Sequence, residues 1–207
     1  MIIFQMKAAV DHLRRSDPVM AKIIERVGPC QLAVLQPNFE TLARSITFQQ
    51  LHGKAAHAIF ARVRKAVGRS FTATAFLKVE PETLRACGLS RQKMASLTDL
   101  AEHVVGRRIN FKALPDLDND AVLAALTQVR GVGVWTAQIF LMFALQRPNV
   151  LPAGDFGVRN AVRRAYGLKE MPKPLELQQI AQAWHPYCTV ASWYLWRSLE
   201  GTAELKG

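Results

Sequence analysis

The sequence predicts an all-α fold, on three observations. Apolar residues recur at helical spacing along nearly the whole chain. Cap residues precede these segments, and glycines follow many of them. The period-two alternation of half-buried strands is absent. Together they predict roughly ten to twelve short helices.

Taken in order, "FQMKAAVDHL" opens the chain. "SDPVMAKIIERVG" has Ser16 or Asp17 as cap, Pro18 in the first turn and Gly28 as stop. "NFETLARSITFQQL" starts at Asn38, and "GKAAHAIFARVRKAVG" ends at Gly68. "TATAFLKV" and "PETLRACG" are short, and "SRQKMASLTDLAEHVVG" runs from a Ser90 cap to Gly106. Next come "LDNDAVLAALTQV", a turn at Gly131–Gly133, and "VWTAQIFLMFALQ". "DFGVRNAVRRAYG", "PLELQQIAQAWH" and "PYCTVASWYLWRSLEG" close the series. "DLDND" imitates a calcium loop, but Ala121 replaces the required glycine and Thr127 the closing glutamate. Asp116, Asp118 and Asp120 are therefore read as helix-capping carboxylates.

The 207 residues suffice for one globular unit or two small lobes, and half are hydrophobic. Net charge is +11, which favours a polyanionic partner through counterion release. Cys30, Cys87 and Cys188 are odd in number and far apart, which excludes a disulfide framework, a zinc ribbon and a four-cysteine cluster. The first residues do not read as a signal peptide, and no apolar run spans a bilayer. A cytosolic-type compartment without membrane contact is expected.

"LTQVRGVGVWTAQ" places two glycines between helices, with a tryptophan directly after them. Glycines at 131 and 133 allow positive φ and close backbone approach, and the next helix turns its positive end to the same place. That suits one phosphate. A bare G-V-G is also an ordinary helix–helix turn. Asp155 follows Trp135 by 20 positions. The helix from Gly133 to Gln146 runs ~20 Å, and "RPNVLPAG" can extend ~26 Å. The chain can thus return Asp155 to the end where it left. Taken alone, Asp155 reads as an N-cap.

"L-x-x-V-R-G-V-G-x-x-T-A" followed by "LPAGDFGVRNAVRRAYG" resembles the HhH-GPD superfamily of DNA glycosylases, named for its helix-hairpin-helix, Gly/Pro-rich loop and aspartate. The resemblance covers about residues 30–200. It implies two helical subdomains flanking a DNA-binding cleft: 38–115 plus 116–167 carrying the hairpin, and 1–37 with 168–207 forming the second. It leaves no room for the N-terminal β-domain of some members.

Trp135 selects the branch. Bifunctional members carry lysine at that position, whose amine attacks the sugar. "G-V-G-V-W-T-A" resembles the monofunctional 3-methyladenine DNA glycosylase II branch, which cuts the base–sugar bond and leaves an abasic site. The resemblance makes Asp155 the catalytic carboxylate, facing an oxocarbenium-like sugar and orienting water. N3-methyladenine and N7-methylguanine are already cationic in DNA, so they leave without a general acid. Trp135 and Phe156, with Tyr187, would line the base pocket, where a cation gains about 0.5–2 kcal/mol over an aromatic face. Trp193 and Trp196 read as core. Gly131, Gly133, Thr136, Arg130 and Arg159 would contact DNA.

Base flipping needs a wedge to fill the gap. "RSITFQQLHGKAAHAIF" resembles the family's wedge segment, with Gln50 preferred and Gln49 and Leu51 beside it. Without the resemblance these read as surface glutamines at a helix end. "GLSRQKMASLTDLA" resembles the family's "G-L-S-x-x-K-x-x-x-L-x-x-L-A", placing Arg91 and Lys93 towards DNA. "PYCT" departs from the family's "P-x-R-S", with Cys188 where an arginine is expected.

The resemblance further implies Na+ or K+ at the hairpin, held by the backbone carbonyls of Thr127, Val129 and Val132, and no other cofactor. It implies a monomer acting on damaged double-stranded DNA in the bacterial nucleoid or the nucleus. Two rivals stand at this point: a glycosylase of the same scaffold for deaminated or other uncharged bases, and a non-catalytic lesion-binding protein. Asp155 weighs against the latter, because binding alone does not call for that carboxylate.

Overall fold

A computed structural model describes residues 6–51 and 53–200. Among them are twelve α-helices and no strand. The expected start of the first helix at Phe4 and the stop at Gly201 lie outside the described residues. The chain divides into two compact units, residues 35–140 and residues 1–34 with 141–207.

The central unit contains α3 (Phe39–Phe48), α4 (Gly53–Val67), α5 (Ala73–Phe76), α6 (Pro81–Ala86), α7 (Arg91–Val105), α8 (Asn119–Thr127) and the first turns of α9 (Val134–Phe143). Asn38, Ser90 and Asp118 cap α3, α7 and α8 through their side-chain oxygens, satisfying first-turn amides. Asp118 thus takes the capping role expected for its acidic run, with Oδ1 2.7 Å from the Ala121 nitrogen. The long helix α7 packs against α3, α5 and α6, burying Leu97, Leu100 and Ala101. Phe39, Phe60, Phe71 and Phe76 form the aromatic part of this core.

The terminal unit contains α1 (Met6–Ser16), α2 (Pro18–Val27), α10 (Phe156–Ala165), α11 (Pro174–Ile180), a 3-10 turn at Ala181–Trp184, and α12 (Cys188–Glu200). Its centre is α12, which packs on α2 and α10 and buries Val190, Ala191, Trp193, Tyr194 and Leu195. Asp17 is almost wholly buried and fully engaged. It accepts from the Val19 and Met20 amides at 2.8 and 3.1 Å, from Trp184 Nε1 at 2.8 Å, and from the Tyr166 hydroxyl. One carboxylate therefore caps α2 and ties three segments together.

The boundary expected near residue 167 is corrected by this division: residues 141–167 belong with the terminal helices. The apolar stripe of α10 (Val158, Ala161 and Val162) is buried in the core built on α12, and that stripe outweighs chain continuity with the hairpin. Two helix ends are also earlier than the periodicity predicts. The helix α3 stops at Phe48 and α9 at Phe143. Among the described residues, no helix is long and apolar enough to cross a membrane.

Candidate active site

In the central unit, α8 and α9 are joined by a tight hairpin. The Val129 amide donates to the Leu126 carbonyl and the Val132 amide to the Val129 carbonyl. The two glycines have different reasons. Gly131 has φ +78°, and a Cβ there would stand 2.5 Å from Ser96 Oγ. It is required by its own conformation and by α7 beneath it. Gly133 lacks positive φ, contrary to expectation, and a Cβ there would meet nothing within 4 Å. Among the described residues, nothing occupies the space that a Cβ at 133 would take. Asp99 of α7 steadies the turn, its Oδ2 accepting from the Arg130 amide at 2.7 Å.

Trp135 stands in the first turn of α9 and is 48% exposed. It opens onto a cavity of about 640 Å³ within this unit, lined also by Arg44, Phe48, Gln50, Gln92 and Ile139. Arg44 lies over the Phe48 ring at 4.1 Å. Thr136, expected at DNA, is instead buried, and its hydroxyl accepts from Gln49 Nε2 at 3.2 Å. The same Gln49 nitrogen donates to the Gly131 carbonyl at 2.9 Å. Gln49 is thereby tied into the protein. Gln50 is exposed with φ +57°, and Leu51 is exposed beside it. Lys93 does not reach outward as expected: its Nζ donates to the carbonyls of Thr47 and Gln49 at the end of α3. Desolvation lowers its ammonium below the ordinary lysine range. Arg91 is exposed in a shallow surface pocket with Glu82, Glu102 and Arg130.

In the terminal unit, Asp155 is the N-cap of α10. Its Oδ1 accepts from the Val158 amide at 2.7 Å and from Trp196 Nε1 at 2.8 Å. Trp196 itself stacks on Phe143, with ring centroids 6.2 Å apart. Its indole passes so close to α10 that a Cβ at Gly157 would lie 3.0 Å from Trp196 Cδ1 and 3.1 Å from Asp155 Oδ1. The reading of Trp196 as plain core is therefore corrected: it holds the carboxylate. Trp193, by contrast, is buried core.

Phe156 is 68% exposed. Arg159, expected at DNA, is half-buried, and its Nε donates to the Pro172 carbonyl at 2.8 Å, which braces that loop. Tyr187 packs edge-on against His12 of α1 at 5.4 Å, beside the terminal core. Cys188 is buried with Sγ 3.8 Å from His185 Nδ1, and desolvation pushes its thiol up to about 12. A guanidinium there would be buried in the same apolar surroundings.

Sequence reasoning missed Trp196, Ser96 and Asp99. The signal for Trp196 is chemical, since a half-buried indole N–H calls for an acceptor. Ser96 and Asp99 gave none, because Ser96 fills the space beside Gly131 and Asp99 accepts from the Arg130 amide, both more than thirty residues away. No group of three or more His, Cys, Asp or Glu side chains among the described residues could hold a metal ion. At the hairpin, Thr127 and Val129 lie at the end of α8, where carbonyls lack intrahelical partners. The Val129 carbonyl accepts the Val132 amide and retains a second lone pair that a monovalent cation could use.

An all-α chain with a glycine hairpin and a capping aspartate 20 residues after Trp135 defines a class. The chain belongs to the HhH-GPD superfamily of base excision DNA repair proteins, whose family model matches residues 43–186. It is 32% identical to DNA-3-methyladenine glycosylase 1 of Schizosaccharomyces pombe, over 95% of this chain and 89% of that protein. The solved S. pombe 3-methyladenine DNA glycosylase in complex with abasic DNA superposes with a TM-score of 0.83, covering 93% of this chain and 97% of that one. A DNA-3-methyladenine glycosidase from Bacillus halodurans is 36% identical with a TM-score of 0.85, over 95% and 91% of the two chains.

Proposed function

We propose that this protein is a monofunctional DNA glycosylase of base excision repair that releases alkylated bases of the 3-methyladenine and 7-methylguanine type. The observation that carries the reading is Asp155: a carboxylate at the family's aspartate position, its Oδ1 fixed by the Val158 amide and the Trp196 indole. Two donors from different elements orient one acid oxygen, which is the preorganisation needed to meet charge as it develops.

Double-stranded DNA is the partner. The first turn of α9, beside the unobstructed Gly133, grips one phosphate through backbone amides. Arg130, exposed beside it, adds charge. Gln50 and Leu51 enter the duplex as the base is turned out. The exposed ring of Trp135 meets the extruded cationic base. As the bond to the base breaks, Asp155 stabilises the oxocarbenium-like sugar and orients water for attack. The leaving base is already cationic, so no second acid is required. Trp135 carries no amine, so no Schiff base forms and the strand stays intact. Na+ or K+ on the carbonyls of Thr127, Val129 and Val132 would add positive charge near the phosphate. The protein works as a monomer wherever chromosomal DNA lies, in nucleoid or nucleus.

The test is base release from duplexes carrying 3-methyladenine, 7-methylguanine, hypoxanthine or ethenoadenine, run beside Asp155→Asn. The wild type should release the two cationic bases fastest, and Asp155→Asn should bind lesion DNA without releasing base. Near-native release by Asp155→Asn would remove the carboxylate from the chemistry. Borohydride should trap no covalent adduct; a robust one would place the protein in the lyase branch.

A further inference from the structure

Three side chains of α7 hold two separate surface turns. Lys93, Ser96 and Asp99 succeed one another at three-residue steps along one flank of the helix. Lys93 Nζ donates to the carbonyls of Thr47 and Gln49, where α3 gives way to the exposed turn of Gln50 and Leu51. Ser96 lies directly under Gly131, and Asp99 accepts from the Arg130 amide at 2.7 Å. Gln49 closes the circuit, reaching from the first turn to the Gly131 carbonyl at 2.9 Å and Thr136 Oγ1 at 3.2 Å. Every link lies within the central unit.

We propose that Gln49 and Lys93 are positioning residues that lock the wedge turn to the phosphate-gripping hairpin, with α7 as the common base. The proposal rests on the glycosylase reading and deepens it. Gln49 is then a strut rather than an intercalator, and the wedge is Gln50 with Leu51. Two observations explain why a strut is needed. Gln50 sits at φ +57°, a left-handed conformation that a non-glycine residue keeps only when its surroundings impose it. A turn pushed into stacked DNA is also loaded in reverse by the bases it displaces. Tied to the hairpin, it pushes against the phosphate already held. Lys93 places its positive charge at the carbonyl end of α3, where a helix favours a cation, and it does so despite the desolvation it suffers.

The strut serves extrusion of the base and leaves bond cleavage alone, which separates it from a merely structural role. The experiment measures single-turnover release of 7-methylguanine from two DNAs, one with the lesion paired to cytosine and one with it in an unpaired bulge. Wild type, Gln49→Ala, Lys93→Met and Lys93→Arg are compared, with melting temperature as the folding control. A 2-aminopurine beside the lesion reports unstacking independently of cleavage. Gln49→Ala and Lys93→Met should lose about tenfold on the paired lesion and stay within about twofold on the bulge, the size of one or two hydrogen bonds. Their 2-aminopurine signal should fall in step. Lys93→Arg, which keeps the charge and the donors, should recover most of the loss. Equal losses on both DNAs, or no loss on either, would overturn the strut. Wild type inert on both DNAs while still unstacking the 2-aminopurine would overturn the glycosylase reading, and the variants' fluorescence would then decide the strut on its own.

Discussion

Replacing Trp196 with phenylalanine removes one hydrogen bond and keeps most of an aromatic face against Phe143. The lost bond joins Nε1 to Asp155 Oδ1 at 2.8 Å. Hydrogen bonds to charged groups are worth about 1.5–3 kcal/mol, which would be about 10- to 150-fold in rate if all of it served the transition state. The Val158 amide still holds the same oxygen at 2.7 Å, so the lower end applies. We expect single-turnover release of 7-methylguanine to fall about tenfold, with affinity for abasic-site DNA unchanged. Gly157→Ala provides the companion perturbation. Its methyl would press on the indole at 3.0 Å and on Oδ1 at 3.1 Å, displacing the same pair while leaving the N–H present. Release should therefore fall with the N–H still present, and Trp196→Phe and Gly157→Ala should both lose release in the same assay, with melting temperature measured beside it as the folding control. Trp196→Phe releasing base within about twofold of wild type would refute the reasoning, since one charged hydrogen bond exceeds that factor.

Asp17→Ala should destabilise the terminal unit by about 2–4 kcal/mol, because it strips a cap and leaves buried indole and phenol donors unpaired; urea unfolding measures it. Gly131→Ala should destabilise the protein, because Ser96 occupies the space and φ is positive, whereas Gly133→Ala should fold normally and bind DNA more weakly. Equal melting temperatures for the two would contradict that division. Arg130→Glu should lower DNA affinity across sequences and flatten its salt dependence, as read by titration at several salt concentrations. Arg159→Glu should chiefly lower melting temperature, by releasing the Pro172 carbonyl, with the salt slope nearly unchanged.

Helix identity was legible residue by residue because its causes are local. Asn38, Ser90, Asp118 and Asp155 each cap the helix they were read to start, by bonding the amide three positions ahead. The hairpin and the aspartate were legible because backbone phosphate contacts and a carboxylate at fixed spacing leave a linear pattern. The partners of those residues were not legible. Lys93 read as a cation facing DNA and proved to bind the end of α3; Arg159 read the same way and proved to brace Pro172. Gln49 and Gln50 are the same residue type one position apart, yet one is a strut bound to Gly131 and the other is exposed at positive φ.

The sequence by itself determined the helices, the hairpin between α8 and α9, and the acid that follows it, since each depends on bonds within a few residues or on a motif carried whole. Tertiary structure alone decided what holds that acid, which of two adjacent glutamines is free, and to which unit α10 belongs. Those outcomes are contacts between residues far apart in sequence, as in Trp196 to Asp155, Gln49 to Gly131 and Lys93 to Gln49. A side chain long enough to reach solvent is also long enough to reach a carbonyl on a neighbouring helix, and only packing selects between them.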